Sequence, residues 1–406
     1  MAVSRRAGHV RHAAISSGGS FPRSSSERSG DQSARPAAIL LPWPQSTEGA
    51  PLSRVARMPE VPIVDGHLDL AELSTLFGRD LTIGAADTRT RRLHPKATVS
   101  LPDMKAGGVA VALATVTAGF LAADVGESFQ PQSALYRTAA EAEAQALRQI
   151  ACYEAWERDE IVRIVRSVAD LDEHLALWRE DGKAGLVLVM EGADPIVDVA
   201  ELPRWWSRGL RGIGLTYGDT KYGTGVAGGS ETFKRGGLTR AGVSLLELMA
   251  EIGFFWDVSH LTEEGVWEGL DFCPSRVCAS HANARALTHT DRHLSDGVIR
   301  ELASRGGVIG IILYNGFLEP RWLRDRSIVV TVEDHVRRHA EHIARVAGWA
   351  HVGVGSDLDG GFGAGAIPAE IHTIADLNRI SAMAPAGEQE GVLGGNWLRF
   401  LRAALP

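Results

Sequence analysis

The stretch "VPIVDGHLDL", residues 61–70, begins as a buried strand and ends on charged groups. Val61, Ile63 and Val64 give the nearly continuous apolar run of a strand covered on both faces. Asp65, His67 and Asp69 then stand where an apolar strand would simply turn. Residues i and i+2 of an extended strand end project to the same side, so His67 and Asp69 can bind one ion together.

Working outward, short Gly- and Val-rich runs of the same kind recur. They are 61–65, 109–116, 185–190, 212–216, 253–258, 276–280, 307–313 and 351–356, and helical patterns such as 132–158 and 332–347 separate them. Eight buried strands alternating with helices predict a (β/α)8 TIM barrel. A doubly wound nucleotide fold is the weaker alternative, because no G-x-G-x-x-G turn follows the first strand. The Gly-rich segment 218–237 lacks a phosphate-loop G-K-[ST] and reads as a long loop after the fourth strand.

In such a barrel the chemistry sits at the carboxyl ends of the strands. Read in order, those ends carry His67 and Asp69, Glu191, Tyr217, His260, His281, and Asp357 with Asp359. Three histidines and several carboxylates on one rim suit two divalent ions of the zinc class, with a carboxylate such as Glu191 able to bridge them. A second histidine group, His335, His339 and His342, shares a helix face. It lacks the glutamate of an H-E-x-x-H motif and lies before the last strand, so a solvated or partly packed exterior face is expected.

Composition narrows the alternatives. The chain has 406 residues, 45% hydrophobic and 23% charged, with a formal charge of −8. That balance gives no footprint for nucleic acid or an anionic membrane surface, and no apolar run is long enough for a transmembrane helix. Cys152, Cys273 and Cys278 form no disulfide framework or metal spacing, which suits a reducing cytoplasm. Cys278 reads as a small buried hydrophobe. Residues 1–57, rich in Ser, Arg, Gly and Ala, are expected to be a disordered tail or start-site extension, with Met58 opening a single folded domain over 58–406.

The motifs "VDGHLDL", "EGAD", "DVSH", "SHANARAL", "DRHLSD", "GGVIGI", "HVGVGSDLDG" and "GGNWLRFL", in this order over about residues 60–405, resemble the membrane (renal) dipeptidase family of the amidohydrolase superfamily. The resemblance implies a metallo-dipeptidase with two Zn2+ per subunit acting on a small dipeptide-like substrate, and it allows a homodimer. His67 and Asp69 would bind one ion and His260 and His281 the other, with Glu191 bridging. Two ions so placed can activate a bridging water as hydroxide and polarise the scissile carbonyl. Asp357 would transfer the proton to the leaving amine, and the Arg292 fork would hold the substrate carboxylate. Asp359 reads as a turn former.

One position departs from the family pattern. Tyr217, in "GLTYGDTKYG", replaces a histidine associated with substrate binding. A tyrosine hydroxyl can donate to an oxyanion but cannot carry an imidazolium charge, which leaves open another small amide or lactone, such as an N-acyl amino acid, as substrate. The chain stops at "RFLRAALP" without the lipid-anchor signal of the anchored members, so a soluble protein is expected.

Overall fold

Each of the eight expected runs forms a strand in the computed structural model, which describes residues 61–92, 94–121, 134–228, 232–273 and 276–406. They are β1 (Ile63–Leu68), β2 (Val109–Thr117), β3 (Gly185–Glu191), β4 (Leu210–Gly214), β5 (Phe255–Asp257), β6 (Val277–Cys278), β7 (Ile309–Ile311) and β8 (Val352–Val354). The spatial order is β7-β8-β1-β2-β3-β4-β5-β6, all parallel. A parallel bridge between Ala279 and Ile309 joins β6 to β7 and closes the ring. The fold is a (β/α)8 barrel. The expected tail over residues 1–57 lies outside the described residues.

Strand register places the rim residues at one height. Glu191 pairs with Gly214, Gly214 with Asp257, and Asp257 with Cys278. Tyr217, His260 and His281 therefore each stand three residues beyond the same level. On the other side Asp65 pairs with Val354, so His67 and Asp357 rise two and three residues past theirs. Parallel pairing alone thus brings residues distant in sequence to one end of the barrel.

The opposite end is filled by apolar side chains. Val64, Val111, Val187, Phe255, Cys278 and Val308 are fully buried in one cluster with Trp397, Phe400 and Leu401. The last three come from the C-terminal helix (Asn396–Ala404), whose Trp397 Nε1 donates to the Val354 carbonyl at 2.8 Å. The "GGNWLRFL" motif therefore plugs the barrel, each large side chain contributing about 1.5–3 kcal/mol by leaving water.

Gly66, inside β1, has to be a glycine. A Cβ there would lie 2.6 Å from both the Ser280 carbonyl and the Trp397 ring. Gly66→Ala is expected to destabilise the protein by about 1–3 kcal/mol through overpacking, which a thermal melt would show as a lowered Tm.

The helix face carrying His335, His339 and His342 is buried, not solvated. Each ring has a separate structural partner. His335 Nδ1 accepts from the Thr331 amide at 3.2 Å, His339 Nδ1 accepts from the Ala284 amide at 3.2 Å, and His342 Nε2 meets Asp296 Oδ1 at 2.7 Å. None of the three rings belongs to a metal-competent group among the described residues. His293, which has no partner in the sequence pattern, packs near His339 with ring centroids 6.2 Å apart.

Candidate active site

The carboxyl ends of the strands bring His67, Asp69, Glu191, His260, His281 and Asp357 together. One Glu191 oxygen, Oε1, lies 3.4 Å from His67 Nε2, 3.2 Å from His260 Nε2 and 3.6 Å from His281 Nε2. His67 Nε2 is also 3.5 Å from Asp69 Oδ1 and 3.8 Å from Asp357 Oδ1. The Nε2 atoms of His260 and His281 are 2.8 Å apart. Three overlapping groups could each hold an ion: His67–Asp69–Glu191, Glu191–His260–His281 and His67–His281–Asp357.

The donor set fits divalent cations. His260 Nδ1 faces the Val226 carbonyl at 2.9 Å. A carbonyl only accepts, so Nδ1 carries the proton and the Nε2 lone pair faces Glu191 and His281, the arrangement in which a ligating imidazole is usually held. Burial, reinforced by the Arg292 charge, keeps His260 below its usual pKa, and burial with the His67 charge pushes His281 well below. Both are therefore neutral imidazoles, as ligation requires. His67 behaves differently: burial opposes its charge, but Glu191 and Asp69 outweigh that and raise it to about 10. Burial also drives the Asp357 carboxyl well up, with Asp69 and Glu191 adding to the effect. A crowd of buried carboxylates of this kind is what bound cations would neutralise.

Two further buried carboxyl groups support these residues from beneath. Asp65 accepts from the Ser356 amide at 2.8 Å, from the Ser356 hydroxyl and from the His67 amide at 3.3 Å. Asp257 accepts from the Ser259 amide at 3.0 Å and the Ser280 amide at 2.9 Å. Each joins two neighbouring strand ends, Asp65 just below His67 and Asp257 just below His260 and His281. Asp69 in turn accepts from the Thr115 hydroxyl, and Tyr153 donates to the Thr115 carbonyl at 2.8 Å while accepting from the Ala71 amide at 3.1 Å. Sequence reading missed these supports. The available signal was a charged residue ending an apolar strand, which Asp65 and Asp257 both give.

Backbone strain collects at the same rim. His260 and Asp357 have φ of +65° and +55°, a conformation that non-glycine residues adopt at a cost of about 1–3 kcal/mol. Asp359, read as a turn former, has φ of +68°. Its carboxylate also pairs with the buried Arg79 and accepts from the Thr98 and Val99 amides, both at 2.9 Å.

Arg292 is buried, and its Nη2 lies 3.0 Å from His260 Nε2. The Tyr217 ring lies 4.8 Å from the His260 ring, centroid to centroid, and burial beside Glu191 holds its hydroxyl in the protonated form. Asp69, Glu191, Tyr217, His260, His281, Arg292 and Asp357 line a cavity of about 580 Å³, whose wall also carries the aromatic rings of Phe77, Tyr314, Phe317 and Phe362 and the cationic side chains of Arg79 and Lys96. Glu72, on the short helix α1 (Leu70–Thr75), also lines it. Nothing in the residue pattern singles that glutamate out. Among the described residues, no helix is long and apolar enough to cross a membrane.

The chain is similar to several known proteins. An uncharacterized dipeptidase of Schizosaccharomyces pombe is 30% identical over 56% of this chain, an alignment that spans 55% of that protein's length. An uncharacterized protein from the pqqA 5′ region of Klebsiella pneumoniae is 31% identical, with 59% of this chain and 88% of that protein aligned. Among solved structures, a dipeptidase described as a metallopeptidase of family M19 is 25% identical with a TM-score of 0.69, covering 85% of this chain and 99% of its own. A metallopeptidase from Rhodobacter sphaeroides, solved with a phosphinate mimic of the dipeptide L-Ala-D-Ala, shares the fold with a TM-score of 0.70 at 24% identity, covering 85% and 99%. The membrane dipeptidase family model matches residues 53–405, and with that match the chain belongs to the membrane dipeptidase family, the metallopeptidases of family M19.

Proposed function

We propose that the protein is a zinc-dependent dipeptidase that hydrolyses the peptide bond of dipeptides. The observation that carries this reading is the convergence of three imidazole Nε2 atoms on one oxygen of Glu191 at the mouth of the barrel. His67 and Asp69 would hold one ion, His260 and His281 the other, and Glu191 both. When bound, the ions supply an activated water and polarise the scissile carbonyl. The chain's own groups do the rest. Asp357 accepts the proton of the attacking water and returns it to the leaving amine. The planar fork of Arg292 receives the carboxylate of the C-terminal residue. Tyr217, protonated beside His260, donates a hydrogen bond to the oxygen on which negative charge develops.

Tyr217 also favours a second reading, hydrolysis of another small amide or a lactone, because it stands where relatives carry a chargeable histidine. A panel of L,L- and L,D-dipeptides, incubated with zinc-loaded protein and read by mass spectrometry beside a metal assay, separates the two. The expected result is cleavage by protein holding two zinc ions per chain. Two ions without cleavage of any dipeptide would overturn the first reading in favour of the second.

A further inference from the structure

Glu72 has no part in the chemistry proposed above. It stands three residues after Asp69, partly buried, with its side chain on the wall of the main cavity. A glutamate at the third position of a helix usually folds back onto the N-cap amide, but no side-chain cap forms at Asp69. Among the described residues no cation pairs with Glu72 and no hydrogen bond reaches its carboxylate. It also belongs to none of the three groups able to hold an ion. Its charged neighbours are Asp69, Glu191, His67 and Asp357, which puts it on the β1 side of the cluster. Arg292 stands on the β5 side, 3.0 Å from His260.

The cavity therefore carries a carboxyl group with no cation or hydrogen-bond donor against it on one side of the candidate metal site, and the Arg292 fork on the other. A dipeptide is a zwitterion with the complementary polarity: an ammonium on its first residue and a carboxylate on its second. We propose that Glu72 is a specificity-determining residue that receives the free α-ammonium of the substrate. This inference rests on the dipeptidase reading and sharpens it. A substrate without that ammonium would bury Glu72 against the other carboxylates with nothing to pair it, and sites built to pair a polar group reject analogues that lack it. N-acyl amino acids are disfavoured for that reason.

The test compares the zinc-loaded full chain with Glu72→Gln, a nearly isosteric change that replaces the ionisable carboxyl by a carboxamide. The substrates are Ala-Ala and propionyl-alanine, which differ only by the amine. Calorimetry uses a phosphinate mimic of Ala-Ala and its des-amino counterpart, and a metal assay accompanies each protein. The wild type should bind the amine-bearing mimic about 10–100-fold more tightly, the range of a charge-assisted hydrogen bond. Glu72→Gln should reduce that preference, and the matching preference in kcat/KM, to within a few-fold, chiefly through KM, with metal content held. An equal loss for both ligands, or loss of zinc from the variant, would overturn the proposal. The two readings can fail separately. Cleavage with no dependence on the amine overturns the role of Glu72 alone. Amine-selective binding that depends on Glu72, without cleavage, supports that role and overturns the dipeptidase reading alone.

Discussion

Asp357→Asn is expected to lower kcat by about 10²–10⁴-fold, the range for removing a general acid–base group, with zinc content and KM nearly unchanged. Asparagine keeps the shape of the side chain and one oxygen, but it cannot take a proton from water and pass it on. The unusual backbone should survive, because the residue already sits at φ of +55°, a region that asparagine tolerates better than most residues. Asp357 Oδ1 also stands 3.8 Å from His67 Nε2 and belongs to one possible ion-holding group, so metal analysis decides between two roles. Loss of kcat with two ions retained assigns Asp357 to proton transfer. Loss of one ion would make it a ligand instead.

Glu191→Gln is expected to have the opposite balance of effects. Its Oε1 is the oxygen that all three imidazole Nε2 atoms face within 3.6 Å, and its negative charge is shared between both proposed ions. Without that charge, affinity for both ions should fall together. Activity should fall by about 10³-fold or more, since metal assistance is worth several kcal/mol of transition-state stabilisation. In the metal-free protein two effects oppose each other: the carboxylate crowding with Asp69 and Asp357 is relieved, and His67 loses the charge partner 3.4 Å from its Nε2. The Tm of the stripped variant is therefore expected to stay within a few degrees of stripped wild type in melting curves with a chelator, while the zinc-loaded Tm falls. A large drop in the stripped protein would mean that Glu191 supports the fold itself.

The barrel and the candidate site are legible in the sequence because both rest on local rules. Apolar runs buried on two faces mark the strands, and a polar residue just past such a run marks the rim. That is why the residue pattern alone locates all eight strands and the positions of His67, Glu191, His260, His281 and Asp357. What escapes it depends on side-chain direction. Asp65 and Asp257 end apolar strands just as a ligand would, yet their carboxylates turn to backbone amides. Glu72 looks in sequence like an ordinary glutamate in a first helical turn. The histidines of 335–342 are polar by identity but buried by the segments that dock on them, each through a partner remote in sequence or at a helix entry.

The carboxylates of Asp65 and Asp257 have a further consequence. They fasten the strand ends on which His67, His260 and His281 are mounted, and they do so through backbone amides, independently of any ion. In small zinc-folded domains the ion is what holds the chain together, and removing it undoes the fold. Here the barrel ring, its apolar plug and these two fasteners hold the three histidines in place from below. The candidate centre is thus built as a socket, and stripping it of ions is expected to leave the strands paired.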